Sequence, residues 1–341
     1  MNDKIKISSG AGIIAMVLHT LGYMPAESLV ILGMAGNRMR ATLRIDLPRP
    51  GVGNETIATV ATTHMLNDVE ADGSLFIVFT AETGTGAQPR EALVEALMRE
   101  LDKGGVPARD GWLVGPEGWM SYLDLDAQMR PLAEVTDSVA NAELTFRGSS
   151  YAPTATATIP EFTGDAPAAA ARIAALVPEE MTDAFDTEAG PMATARATWQ
   201  TAINTCGRGT DNTALIAAFQ DVMIRDRLMA DILDASTSAE DYANALMGDL
   251  TEAPNWRRVD AAEATLSQLL TETPEAYRAP LLAVTGWIHW LKGRGTIASQ
   301  YYTAALQEDR GYRLAELLDR LAAAGYVAPV AKGEATSYKP E

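Results

Sequence analysis

One cysteine, three histidines and a shortage of positive charge limit the chemistry open to this chain of 341 residues. Cys206 alone excludes an internal disulfide and a multi-cysteine zinc site. Beside Gly207 and Arg208 it reads more simply as a small apolar side chain than as a reactive thiol. His19, His64 and His289 are too few for a histidine-rich centre, and His64 and His289 lack the helical spacing that metalloproteases use. No metal and no cofactor are therefore expected. Against 45 Asp+Glu there are only 27 Lys+Arg, a formal charge of −18. That balance repels phosphate backbones and anionic membranes, so neither nucleic acid nor a membrane is an expected partner. The small basic patches Arg225-Asp226-Arg227 and Arg257-Arg258 do not reverse it. Long apolar runs are missing as well. Gly12–Leu18 is far shorter than the roughly 20 residues that cross a bilayer, and MNDKIKISSG lacks the apolar core of a signal peptide. The expected compartment is the cytoplasm, where a single thiol stays reduced.

What is present is a globular composition, 47% hydrophobic and 21% charged, over a length suited to about two domains. Ser8-Ser9 caps a helix carrying Ile13, Ile14, Val17, Leu18 and Leu21 at helical spacing, and Gly22 stops it. The apolar run Ser28–Met34, the turn Ala35-Gly36-Asn37 and the alternating Arg38–Leu47 predict a β-hairpin. Asn54 caps a second helix to about Glu70, and Ser74–Thr80 is the clearest buried strand. A glycine-bearing loop then leads to a helix opened by Pro89 and ending near Lys103, followed by strands at Ala108–Val114 and Trp119–Leu123. This order predicts an α/β sandwich with a mixed sheet over residues 1–150.

Residues 151–167, rich in Ala, Thr and Pro, read as a linker or an extended crossing segment. Strand signals then stop. Helical windows at Ala168–Leu176, Met192–Asn204, Asn212–Leu233, Ala239–Leu250, Arg257–Leu270, Ala276–Lys292, Thr296–Gln307 and Tyr312–Ala324 predict an all-α domain over 168–328, with 329–341 a frayed tail. Within 279–310, Gly286, Gly293, Ala298, Tyr302, Ala305, Leu306 and Asp309 fall at tetratricopeptide spacings, with Tyr302 plugging between two helices. One copy is convincing and Tyr242–Leu270 is only an echo, so the reading is a tetratricopeptide-like hairpin inside a helical domain.

The main chemical suspect is the loop Thr80–Arg90. Lying between a buried strand and a helix N-terminus, its Thr83, Gly84, Thr85, Gly86 and Arg90 would cradle an anion. It matches neither the Gly-Lys-Ser/Thr step nor Gly-x-Gly-x-x-Gly, so an ordinary βα connection is the plainer reading. Asp46, Arg44 and Asp72 at strand ends read as solvated groups or ion pairs. Trp112 and Trp119 read as packing across a hairpin rather than as a stacking platform. Ser121-Tyr122 lacks the flanks of a nucleophile elbow, and His19 reads as a satisfied core histidine.

Three further stretches carry a resemblance: Leu21-Gly22-Tyr23 with Pro25 to Val30 and Arg44 to Pro48, Trp119-Met120-Ser121-Tyr122, and Ile224-Arg225-Asp226. With the final hairpin, they make the chain similar to an actinobacterial family known only as a domain of unknown function, DUF4192. The resemblance implies an α/β domain followed by helices, in chromosomes, plasmids and phages of actinobacteria, and implies no activity. Relatives carry cysteines after the Ser-Tyr step where this chain has Leu123-Asp124-Leu125-Asp126, so no metal or redox role transfers.

No catalytic constellation emerges. The expected function is a non-enzymatic protein-interaction or scaffolding factor, with Arg294, Tyr301 and Arg313 on the hairpin surface as contacts to another protein. The alternative is an enzyme that binds a nucleotide or phosphorylated small ligand through the 83–90 loop.

Overall fold

The capping signals at the start of the chain act as predicted. In the computed structural model, which describes residues 7–48, 52–82, 88–124, 126–164, 167–178, 190–208, 211–233 and 239–339, Ser9 Oγ accepts from the Gly12 N–H at 3.2 Å. That bond opens α1 (Gly10–Leu21), and Gly22, at φ 80°, closes it in the left-handed conformation that glycine adopts without strain. The hairpin follows as β1 (Ser28–Ala35) and β2 (Arg38–Asp46), then α2 (Asn54–Met65), β3 (Gly73–Phe79), α3 (Glu91–Lys103), β4 (Ala108–Gly115) and β5 (Gly118–Ser121). Asn54 is the first residue of its helix rather than the cap, and the helix ends at Met65, short of Glu70.

The sheet order is β2-β1-β3-β4-β5. β3 and β4 run parallel, joined through α3, and the other pairs are antiparallel. Because side chains alternate along a strand, β1 and β3 feed two cores. Leu29, Ile31, Phe76 and Val78 pack with α2 and α3. Val30, Leu32, Ile77 and Phe79 pack with α1 and with Trp112 and Trp119, both buried as core residues. Helices therefore cover both faces, and strands buried on both sides read as continuous apolar runs. Two short helices escaped the sequence reading, α4 (Ala133–Thr136) and α5 (Val139–Phe146), the latter capped by Ser138 Oγ accepting from the Asn141 N–H at 3.1 Å.

The described part of the chain divides into two compact units, Met1–Thr154 and Ala155–Pro340. In the second, no strand occurs among the described residues. Its helices are α6 (Pro167–Ala174), α7 (Gly190–Thr205), α8 (Asn212–Ala218), α9 (Val222–Ile232), α10 (Ala239–Leu246), α11 (Trp256–Glu272), α12 (Arg278–Leu291), α13 (Gly295–Glu308), α14 (Arg313–Ala323) and α15 (Pro329–Lys332). None among the described residues is long and apolar enough to cross a membrane. The window Asn212–Leu233 splits in two because the Asp221 carboxylate accepts from the Ile224 N–H at 2.9 Å and starts a new helix.

α12 is buried along its whole length. At Gly286 an added Cβ would stand 2.5 Å from Tyr302 Cε1, so the missing side chain is what lets α13 close on α12. Arg225 and Arg227, read as a basic patch, are buried instead. Arg225 donates to the Tyr312 hydroxyl at 2.5 Å, and Arg227 pairs with Asp231, which also holds Arg196. The described part of the expected linker lies against helices. Thr158 O accepts from the Tyr301 hydroxyl at 2.8 Å, and the Thr163 N–H donates to Thr271 O at 2.8 Å.

The expectation of a frayed tail is overturned. Val330 is 1% exposed, its N–H donates to Gly248 O, and the segment after α15 packs back on α11 through Thr336 and Tyr338. Its order comes from contacts with residues some 80 positions earlier, which no local pattern encodes.

Candidate functional site

Of the loop suspected on sequence, Thr83, Gly84, Thr85 and Gly86 lie outside the described residues; Arg90 does not. At the carboxyl end of β3, Thr80 is buried and its hydroxyl donates to the Glu27 carboxylate at 2.9 Å. The same carboxylate accepts from the Ala81 N–H at 2.7 Å and pairs with Arg90 Nη2 at 3.1 Å. Arg90 Nε stands 2.7 Å from Glu82 Oε2. Glu27 (φ 42°) and Arg90 (φ 64°) both hold left-handed backbone, unusual for residues with a Cβ. The Tyr122 hydroxyl donates to Pro89 O at 2.6 Å, and burial first, then Glu91, Glu82 and Glu95, raise its pKa. Tyr122 is thus a tie for the loop, not a nucleophile. Arg90 already faces two carboxylates, so an incoming anion would meet their charge before it met the guanidinium.

The strand-end carboxylates form ion pairs, as read. Asp72 holds Arg109 at 2.6 Å and the Gly36 N–H at 2.9 Å, and Asp46 holds Arg44 at 2.6 Å. His19 is satisfied by Ser149 Oγ and Asn141 Oδ1, both at 2.9 Å. A cavity of about 260 Å³ opens at the start of α1, where Arg130 lies over the Trp119 ring and pairs with Glu134 at 2.9 Å. Among the described residues no group of three or more His, Cys, Asp and Glu side chains is placed to hold a metal ion.

The helical unit assembles a denser constellation. Trp256, Asp260 and Glu263 recur at one face of α11, as residues four and three apart do. Opposite them, His289 lies in the last turn of α12, Lys292 caps its end, and Arg294 precedes α13. The Lys292 side chain is 2% exposed; its ammonium meets Asp260 Oδ1 at 2.5 Å and also Glu263 Oε2. His289 Nε2 stands 3.6 Å from Glu263 Oε1, while its Nδ1 is buried with no hydrogen-bond partner. Burial pushes the Glu263 carboxyl up, but the positive charges of His289, Lys292 and Arg294 outweigh it and hold it down at about 2. Burial drives His289 down to about 4, with Arg294 and Lys292 acting the same way and Glu263 opposing them. At neutral pH the imidazole is therefore uncharged, and Lys292 and Arg294 together balance the two carboxylates.

Tyr338 sits over this cluster. Lys292 Nζ lies 4.6 Å from its ring centroid and Arg294 Cζ 5.3 Å, and Trp256 meets it edge-on at 5.2 Å. Its hydroxyl pKa is raised by burial and then by the negative charge of Asp260. Trp256 Nε1 donates to Thr336 O at 3.1 Å. A slot made of an indole, two cations and a carboxylate thus holds an aromatic side chain and one main-chain carbonyl of a segment that forms a turn over residues 334–336.

Of the three contacts expected on the hairpin, Arg294 is part of this slot. Arg313 stands apart, 73% exposed and 3.6 Å from Glu316. Tyr301 is not at the surface. It is 2% exposed, its ring tilted against His289 at 5.2 Å, because α13 is covered on one side by α12 and on another by the 156–158 turn. Trp256, Asp260, Lys292 and Tyr338 were missed. The available signal was His289 and Lys292 interrupting the apolar run of α12, with acidic residues at matching spacing on α11.

A family model described as Domain of unknown function (DUF4192) matches residues 11–328. Neither a curated protein nor a solved structure matches the chain.

Proposed function

The chain belongs to the DUF4192 family, whose description carries no activity, and from its own residues we propose a non-enzymatic interaction or scaffolding factor, acting in the cytoplasm of actinobacteria or for their mobile elements. Its helical unit takes a tyrosine-bearing segment of another protein into the Trp256–Asp260–Lys292–Arg294 slot. The observation that carries this reading is the seat of Tyr338, where a segment without regular structure already makes the contacts a bound peptide would make. Tyrosine is preferred to phenylalanine because its hydroxyl lies in the field of the Asp260 carboxylate, to which it offers a donor that a plain phenyl ring lacks. The engagement of Arg90 by Glu27 and Glu82 counts against the nucleotide-binding alternative.

The test uses the full-length Tyr338→Ala chain and a fluorescent peptide of residues 333–339. The variant binds the peptide, the phenylalanine version binds more weakly, and the alanine version does not bind. Absence of binding to a variant with unchanged circular dichroism refutes the reading.

A further inference from the structure

The position of the segment that fills the slot leads one step further, on the premise that the slot does bind peptides. We propose that residues 333–339 are an autoinhibitory strap, which closes the slot in cis so that a tyrosine-bearing partner segment enters only by displacing it.

The strap is built to leave without unfolding its surroundings. It is tethered by α15, whose Val330 is fixed in the core, and it then folds largely on itself. The Thr336 and Ser337 N–H groups both donate to Gly333 O, at 3.2 and 2.8 Å, and Thr336 Oγ1 donates to Val330 O at 2.8 Å. Such bonds survive release. Glu334, Ala335 and Lys339 are exposed, while Thr336, Ser337 and Tyr338 are only half-buried, so the segment belongs to the surface rather than to the core. Beneath it, Lys292 keeps Asp260 and Glu263 as partners whether or not Tyr338 is present. Lifting the strap therefore uncovers a cluster in which Lys292 and Arg294 balance Asp260 and Glu263, and leaves no lone buried charge to hold it down.

The tether sets the strength of the inhibition. A short flexible connection holds its own ligand at an effective concentration on the order of millimolar. A free peptide of the same sequence must compete with that concentration, so its apparent affinity for the wild-type chain is pushed towards millimolar whatever its affinity for the open slot. A partner segment succeeds only by binding better than the strap does.

Titrating the 333–339 peptide into the full-length wild-type and Tyr338→Ala chains separates the possibilities. Binding at least about tenfold tighter to Tyr338→Ala, lost again in Trp256→Ala/Tyr338→Ala, is the expected result. Equal affinity of the two chains overturns the strap and leaves the slot standing as a peptide site. Absence of binding to both overturns the slot, and the strap with it. A second measurement avoids reliance on any destabilised variant. With 3-fluorotyrosine at position 338 of the otherwise wild-type chain, excess peptide moves the fluorine resonance from its buried to its free position. A resonance that stays fixed while peptide binds overturns the proposal.

Discussion

Acidification should weaken the helical unit in a window set by His289. The imidazole is held at about 4 in the folded chain against an ordinary value of 6.5. Between those values the unfolded chain binds the extra proton and the folded chain does not. Stability therefore rises with pH across the window and is lost as pH falls through it. The difference amounts to about 3 kcal/mol once pH is below the folded value. Glu263 acts in the same direction but lower, between its ordinary 4.5 and its folded value of about 2. The groups facing His289 are Glu263 from α11, Lys292 and Arg294 beyond its own helix, and the Tyr301 ring from α13. The assay is urea unfolding at several pH values from 7 to 4, on the wild-type chain and on His289→Phe, which keeps a ring but cannot titrate. His19 and His64 are common to both chains and cancel in the difference. The wild-type chain should lose about 3 kcal/mol more than the variant over this range. Parallel curves would refute the reasoning, because His289 would then titrate alike in folded and unfolded chains.

Two further outcomes follow from packing and charge. Gly286→Ala pushes a methyl group to 2.5 Å from the Tyr302 ring and should cost about 1–3 kcal/mol, read as a lowered midpoint in thermal unfolding. Lys292→Met leaves Asp260 and Glu263 facing each other without their cation and should cost about 3–5 kcal/mol, read by denaturant unfolding at pH 7.

The legible and illegible parts of this fold divide by the range of the interactions that make them. Ser9, Gly22, the Ala35-Gly36-Asn37 turn and the apolar strand through Ile77 act on their near neighbours, and each stood out in the sequence. So did the pair Gly286 and Tyr302, whose spacing is that of one helical hairpin. α4 and α5 are short and lie in a polar stretch, where periodicity has too few residues to register. Tyr301 and Tyr302 are adjacent, so one face of α13 seemed destined for water. Both are buried because the 156–158 turn covers the second face, a contact 143 positions away in sequence. The slot is the extreme case. It joins residues from α11, the α12–α13 connection and the tail, and only the folded chain brings Trp256 and Tyr338 together.

Stability by itself gives no reason for the ionic cluster beneath Tyr338. Replacing a buried ion pair by well-packed apolar residues is often neutral or stabilising, because desolvation consumes what the Coulomb attraction returns. α12 is otherwise the most thoroughly apolar element of the helical unit, and an apolar set replacing Asp260, Glu263 and Lys292 together would suit its surroundings. What an apolar substitute would not supply is a cation under an aromatic ring, with a carboxylate's charge acting on the ring's hydroxyl. The cluster is costly as a core and well suited as a floor for tyrosine. That asymmetry is the reason we propose the slot, rather than Arg90 with its two carboxylates, as the place for a partner.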